Sequence, residues 1–140
     1  MTAGPVVALT FCWLGMVLAI SFLEAPLKFR APGVTHQIGL GIGRLVFRAL
    51  NSVEAVFVAV IIVALAVHRP AAAVIVAFAV AIATLVVQLL AVRPKLIQRS
   101  DAVLSGSPSD SRSRVHYVYV ALESVKVVAL LVAGVLLITG

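Results

Sequence analysis

The sequence has little charge, few aromatic rings and almost no cysteine. Charged residues make up 11% of the 140 residues, aromatic residues make up 6%, and Cys12 is the only cysteine. A single cysteine excludes an intramolecular disulfide and a cysteine-based zinc site. The low charge excludes an ordinary soluble domain, because a chain of this length would need a large polar surface in water.

Hydrophobic residues are abundant instead, at 63% of the chain, with a mean hydropathy of +1.20. Four apolar stretches each have about the 20 residues that a helix needs to cross a hydrocarbon core. They predict spans at about residues 6–25, 43–67, 71–93 and 115–139. No Lys or Arg precedes the first stretch, so we do not expect a cleavable signal peptide. We predict an all-α, integral membrane four-helix bundle in lipid, one domain over residues 1–140, with Cys12 as a small packing residue.

Basic residues are concentrated in the segments that join spans 1 and 2 and spans 3 and 4. The positive-inside bias places these loops, 26–43 and 94–114, in the cytoplasm and both termini outside, as in a bacterial-type cytoplasmic membrane. This topology accounts for the net charge of +6, and no aromatic residues interleave with the basic ones as in a nucleic-acid groove. The Ser-, Gly- and Pro-containing part of the second loop, about 99–113, is predicted to be mobile.

The two halves of the chain share a pattern. Residues 49–60 read ALNSVEAVFVAV and residues 121–132 read ALESVKVVALLV. The match predicts two pseudo-repeated helical hairpins, spans 1–2 and 3–4, related by a pseudo-twofold axis along the membrane normal. In this register Glu54 corresponds to Lys126, and Asn51 corresponds to Glu123.

Ionisable residues at membrane depth are costly, so they usually face the bundle interior and find partners there. The pseudo-twofold axis would bring Glu54 and Lys126 together across it, where an anion and a cation neutralise each other. Other polar residues extend this pair into a column toward the cytoplasm. The predicted solute-binding residues are Asn51, Glu54, Glu123, Lys126, Tyr119, Arg44, His116 and Gln88. Within this set, Glu54 and Lys126 are the central pair, Asn51 and Glu123 the solute-contacting layer, and Arg44, His116 and Tyr119 the vestibule.

Three functions fit such a column. The first is a cytoplasm-facing polar cavity that binds or transports an ion or small polar solute. The second is a non-transporting structural or accessory subunit, in which the polar groups only tie the helices together. The third is a haem or quinone redox subunit, for which a histidine pair would have to combine His36 with His116.

No sequence motif for a catalytic nucleophile, a metal cage or a phosphate-binding loop is present, so we expect neither an enzyme nor a cofactor. Four helices are few to enclose a pathway. We therefore expect a homodimer or a partner in a larger membrane complex, with the Ala-rich face of span 3 as a candidate interface.

The connections between spans give further expectations. Thr35 is a candidate N-cap for span 2, and Gly39 and Gly43 would permit a close helix–helix approach. Glu24 is expected to pair with Lys28. Pro26 should kink or end span 1. The short turn HRPAAA, residues 68–73, predicts that spans 2 and 3 are antiparallel neighbours.

Residues 21–47, SFLEAPLKFRAPGVTHQIGLGIGRLVF, resemble a known family of small four-span proteins. It is the group of animal transmembrane protein 205 and its uncharacterised bacterial relatives. The residues that carry the resemblance are Phe29-Arg30, Gln37-Ile38-Gly39 and Phe47, with His116 as a weaker match. The resemblance covers about the first 50 residues and the four-span plan. It implies an integral membrane protein without established enzymatic activity, and a suggested link to metal-drug resistance, but no substrate.

Overall fold

The computed structural model describes residues 3–92, 94 and 114–140, with side chains for 4–91, 94 and 117–140. The described chain is helical and has four long segments. Helix α1 (Ala3–Val17) continues as a π-helical segment (Leu18–Glu24), a short α-helical turn (Ala25–Leu27) and a 3-10 turn (Lys28–Arg30). The other three are α2 (His36–Val67), α3 (Ala72–Val87), which continues as a second π-helical segment (Gln88–Val92), and α4 (Arg114–Thr139). The predicted mobile loop at 99–113 lies outside the described residues.

Four segments are long and apolar enough to cross a membrane: Gly4–Arg30, His36–Val67, Ala72–Ala91 and Tyr117–Thr139. Their outward faces carry large apolar side chains, among them Leu45, Val63 and Leu90, which are 71%, 63% and 76% exposed. Such a surface would aggregate in water but suits a hydrocarbon solvent. The chain therefore has the all-helical architecture of a multi-pass membrane protein.

Helix α4 lies at the centre of the packing. It packs most extensively on α3 and next on α1, while α2 packs mainly on α1. Among the described residues, α2 makes few close backbone contacts with α3 or α4. The short turn thus joins spans 2 and 3 without close backbone packing along their length, and their arrangement as antiparallel neighbours stays a prediction. A turn at 68–71 ties together only the ends of the two helices, and the side chains along their length decide how closely they pack.

The apolar core lies between α1, α3 and α4 and includes Ile61 from α2. Buried alanines on α3 (Ala77, Ala81) and on α4 (Ala129, Ala133) explain the close packing of those two helices, since small residues let helix backbones approach in a membrane. Ala77 and Ala81 are thus already covered within the chain. Cys12 is exposed, so its predicted packing role was wrong.

Both π-helical segments end two residues before a proline. The first segment ends at Glu24, ahead of Pro26, and the second ends at Val92, ahead of Pro94. A proline ring clashes with the carbonyl of the residue four positions earlier in a regular α-helix. Widening the helix before the proline relieves that clash, and the N–H of Ala25 bonds the carbonyl of Ile20, five residues back. Pro26 thus changes the helix type locally, and the helical chain continues to Arg30.

The predicted contacts around the first connection are present. The Thr35 hydroxyl accepts a hydrogen bond from the Ile38 N–H at 3.1 Å and caps α2, and Glu24 pairs with Lys28 at 3.8 Å. A Cβ on Gly39 would overlap the Phe29 ring, and one on Gly43 would lie 2.8 Å from the Lys28 Nζ. The two glycines therefore let the end of span 1 lie directly on α2.

Gly134 on α4 gives the first prediction. A Cβ at this position would lie 2.6 Å from the Phe11 ring of α1, whereas a Cβ on Gly15 would meet no atom within 4 Å. We expect Gly134→Ala to lower the free energy of unfolding by about 1 kcal/mol through overpacking, and Gly15→Ala to leave it unchanged or slightly higher. Thermal unfolding in detergent measures both, and adding Phe11→Leu should relieve Gly134→Ala. Equal stability of the two alanine variants would contradict the packing of α1 on α4.

Candidate functional site: a buried polar cluster

Four polar side chains from three helices meet inside the bundle. Glu54 comes from α2, Gln88 from the start of the second π-helical segment, and Glu123 and Lys126 from α4. Each is at most 1% exposed. Together with Trp13 and Ser21 of span 1, they form the polar cluster. Every span contributes to it, although α2 and α4 make few close backbone contacts.

Lys126 is the centre of the cluster. Its Nζ lies 2.7 Å from Glu54 Oε2, 2.7 Å from Glu123 Oε1 and 2.8 Å from Gln88 Oε1. An ammonium has three N–H donors, and each has an acceptor here. The predicted Glu54–Lys126 ion pair is therefore present and fully buried.

Glu123 accepts donors on both of its oxygens. Oε1 accepts from Lys126 and, at 2.7 Å, from the amide Nε2 of Gln88, and Oε2 accepts from the Ser21 hydroxyl. Both oxygens of the Glu123 carboxyl group therefore have donors, and one of these donors is Lys126 on the same helix, three residues away.

Glu54 is bonded on one side only. Its Oε2 accepts from Lys126 and, at 2.7 Å, from the indole Nε1 of Trp13. Its Oε1 is buried and has no hydrogen-bond partner among the described residues, and the same holds for Oδ1 of Asn51. Asn51 precedes Glu54 by three residues on α2 and is 5% exposed, so both groups lie on one buried face. Two bare acceptor oxygens in a dry interior are a costly arrangement.

The two π-helical segments both reach the cluster. Ser21 belongs to the first, Gln88 begins the second, and both bond the carboxylate of Glu123. π-helical turns within α-helices are rare and are frequent at functional sites. A shift between π and α geometry in either segment would rotate a direct partner of Glu123.

The outer members of the predicted column differ in their placement. Tyr119 is 8% exposed, and its ring meets the Phe47 ring edge-on, with centroids 5.8 Å apart. Arg44, which is predicted to line the vestibule, is exposed. The side chain of His116 lies outside the described residues. Thr84, on α3, is buried, and its hydroxyl donates to the carbonyl of Val80 at 2.7 Å.

Reasoning from the sequence missed Trp13 and Ser21. Both lie on span 1, where the internal repeat offers no polar counterpart that would draw attention to them. A signal was available, since Trp13 is the only tryptophan and an indole N–H inside a membrane needs an acceptor. Thr10, one turn before Trp13, is also buried, but its hydroxyl donates to the Val6 carbonyl of its own helix at 2.7 Å.

Trp13 gives the second prediction. Trp13→Phe keeps an aromatic ring but removes the N–H that Glu54 Oε2 accepts, so we expect a loss of about 1–2 kcal/mol in the free energy of unfolding. Part of that loss will come from the smaller ring. A double-mutant cycle tests the hydrogen bond, because in a Glu54→Leu background the indole N–H has no acceptor, so Trp13→Phe should cost less than it does in the wild type. An equal cost in both backgrounds would exclude a contribution from the indole hydrogen bond.

The described residues contain no group of three or more His, Cys, Asp or Glu side chains that could hold a metal ion. Within the same part of the chain, His36 and His68 are both exposed, and the His36 ring lies beside the Phe29 ring in a tilted arrangement, with centroids 5.8 Å apart. The polar cluster itself contains no histidine.

Comparisons with known proteins add no relative. No protein-family model, no curated protein and no solved structure matches this chain. The resemblance to the transmembrane protein 205 group therefore stays an expectation, and the polar cluster is the feature of the structure that bears on function.

Proposed function

We propose that this chain is a small membrane protein that binds an ion or small polar solute at the polar cluster and moves it across part of the membrane. One observation carries the proposal. The cluster has two carboxylates but one ammonium, at zero to 1% exposure, and one carboxylate oxygen has no partner among the described residues. An excess negative charge in lipid is costly, and a bound cation would remove the cost.

The internal repeat supports a site between α2 and α4 that is reached from the side of the basic loops. Two pairs of residues that correspond in the repeat touch each other: Glu54 with Lys126, and Phe47 with Tyr119. Both contacts are what a pseudo-twofold axis between α2 and α4 would produce. The matching π-helical segments before Pro26 and Pro94 favour the same two-hairpin origin. In this arrangement the Phe47–Tyr119 ring pair would close the cluster toward the loops 26–43 and 94–114.

The orientation belongs to the same proposal. The basic loops would lie in the cytoplasm and both termini outside, so the ring pair would be the cytoplasmic closure of the site. Arg44, exposed two to three turns before Glu54, would then be a vestibule residue that a solute meets first. We also propose a homodimer. The side chains of one chain enclose the site, so a second copy would be needed to form a pathway beside it.

The experiment is a flux measurement in liposomes. Purified protein is reconstituted and tested for proton, sodium and potassium movement with ion-sensitive dyes under an imposed gradient. We expect flux of one of these ions in the wild type, its loss in Glu54→Gln, and normal flux in Ser52→Ala. Ser52 is the matched control because it neighbours Asn51 but is exposed and donates to the Arg48 carbonyl. No flux above empty liposomes would refute transport of these ions.

A structural role is the second candidate, and a specific observation favours it. All three donors of Lys126 have acceptors at 2.7–2.8 Å, which is the saturation expected of a group that ties helices together. In that case the cluster variants would change stability alone, and reconstituted protein would carry no ion.

A further inference from the structure

The cluster leaves a question that the proposed function does not answer: what balances its extra carboxylate? Glu54, Glu123 and Lys126 are the charged groups that face one another, and Trp13 and Gln88, which pack against them, do not titrate. With every group ionised, this buried set has one negative charge too many. The bound cation that would remove it has to sit where the structure leaves acceptors bare.

The hydrogen bonds distinguish the two carboxyl groups. Glu123 accepts three donors over its two oxygens, from Lys126, Gln88 and Ser21, and has no bare oxygen that could hold a further cation. Glu54 accepts two donors, both on Oε2. Its Oε1 is the bare one, and the only other bare buried oxygen described on α2 is Oδ1 of Asn51, one turn away.

We propose that Glu54 holds a proton on Oε1 and shares it with Oδ1 of Asn51. One proton accounts for three observations together. It neutralises the excess charge, it turns Glu54 Oε1 into a donor, and it gives Asn51 Oδ1 the donor that it lacks. The cluster at rest is then a neutral set: a protonated Glu54 beside the Glu123–Lys126 ion pair.

This inference rests on the proposed function, and it identifies the bound ion as a proton. Release of the proton leaves Glu54 ionised and adds a negative charge beside Lys126, which then has two ionised partners. Binding and release at Glu54 are therefore coupled to the ion pair that links α2 with α4. A protein that moves protons needs a group of this kind, buried and linked to the contacts that hold the helices together.

Infrared spectroscopy of the protein in lipid nanodiscs tests the inference directly. A protonated carboxyl group has a carbonyl stretching band distinct from that of a carboxylate, and exchange into deuterium oxide shifts it. The chain has five side-chain carboxyl groups, so single substitutions can assign the band. We expect a band near neutral pH in the wild type, its loss in Glu54→Gln, and a shift in Asn51→Leu, since the proton loses its acceptor. Ser52→Ala should leave the band unchanged.

Two results would overturn the inference. A band that persists in Glu54→Gln would place the proton on another carboxyl group. Absence of a band in the wild type would mean that Glu54 is ionised, balanced by a metal cation or bonded by the Asn51 amide turned the other way. If the wild type lacks the band but is stabilised against heat by sodium, ion binding at the cluster is supported and only the proton on Glu54 is refuted. If the band behaves as expected but the protein shows no flux, the proton on Glu54 is supported and transport is refuted.

Discussion

Lys126→Met should unfold most of the protein or abolish its accumulation in the membrane. The substitution leaves the carboxyl groups of Glu54 and Glu123 buried without a cation, and it removes a donor from each of them and from Gln88. Breaking a buried ion pair by removing one partner costs about 3–5 kcal/mol. That is a large part of the 5–15 kcal/mol that typically stabilises a folded domain. The measurement is heat- or detergent-induced unfolding of purified protein, followed by circular dichroism and size-exclusion chromatography.

Two further variants make the prediction specific. Arg69→Met also removes one positive charge, but Arg69 is exposed in the turn between α2 and α3. The free energy of unfolding of this variant should therefore stay within about 0.5 kcal/mol of the wild-type value. Lys126→Met combined with Glu123→Gln removes both members of the ion pair, leaves no unpaired charge beside the protonated Glu54, and should recover part of the loss. If Lys126→Met proves as stable as Arg69→Met, the ion pair does not stabilise the fold.

The sequence predicted the helices and the central pair well because each depends on a strong local signal. Apolar runs of about 20 residues leave few alternatives to a membrane helix. Glu54 and Lys126 were paired by their equivalent places in the repeat and by the cost of a lone charge in lipid, and the structure has them 2.7 Å apart. Gln88 was named as a residue of the column, and it bonds both Lys126 and Glu123.

The partners on span 1 could not be predicted in the same way. Whether Trp13 meets Glu54 depends on how α1 rotates about its axis, and the apolar residues around it on every side leave that rotation undetermined by periodicity. Ser21 depends in addition on the π-helical segment, which changes the number of residues per turn and so the direction of every side chain that follows. A regular helix drawn through Leu18–Glu24 would misplace it.

Exchanging the central charges, Glu54→Lys with Lys126→Glu, should restore stability only in part. The exchange keeps one cation between two carboxyl groups, so the doubly substituted protein should be more stable than either single variant. Trp13, however, can only donate. Its indole N–H, which now bonds Glu54 Oε2 at 2.7 Å, would face an ammonium that also only donates. In addition, two carboxylates would lie three residues apart on α4, where like charges repel. We expect the exchanged protein to remain about 2 kcal/mol less stable than wild type, within the range for a buried polar group left unpaired.

The effect of Trp13→Phe on stability should have opposite signs in the wild type and in the charge-exchanged protein. In the wild type it removes a hydrogen bond and lowers stability, whereas in the exchanged protein it removes a donor that has no acceptor and should raise stability by about 1 kcal/mol. Thermal unfolding of four proteins measures this difference: the wild type and the charge-exchanged protein, each with and without Trp13→Phe. Flux in the same preparations separates the two candidate functions. If the cluster only holds the helices together, the cellular function of the charge-exchanged protein should recover to the same extent as its stability. If the cluster binds an ion, the exchanged protein should stay inactive, because the exchange moves the carboxyl group away from Asn51. A destabilising Trp13→Phe in the exchanged protein would mean that the indole contributes only by packing.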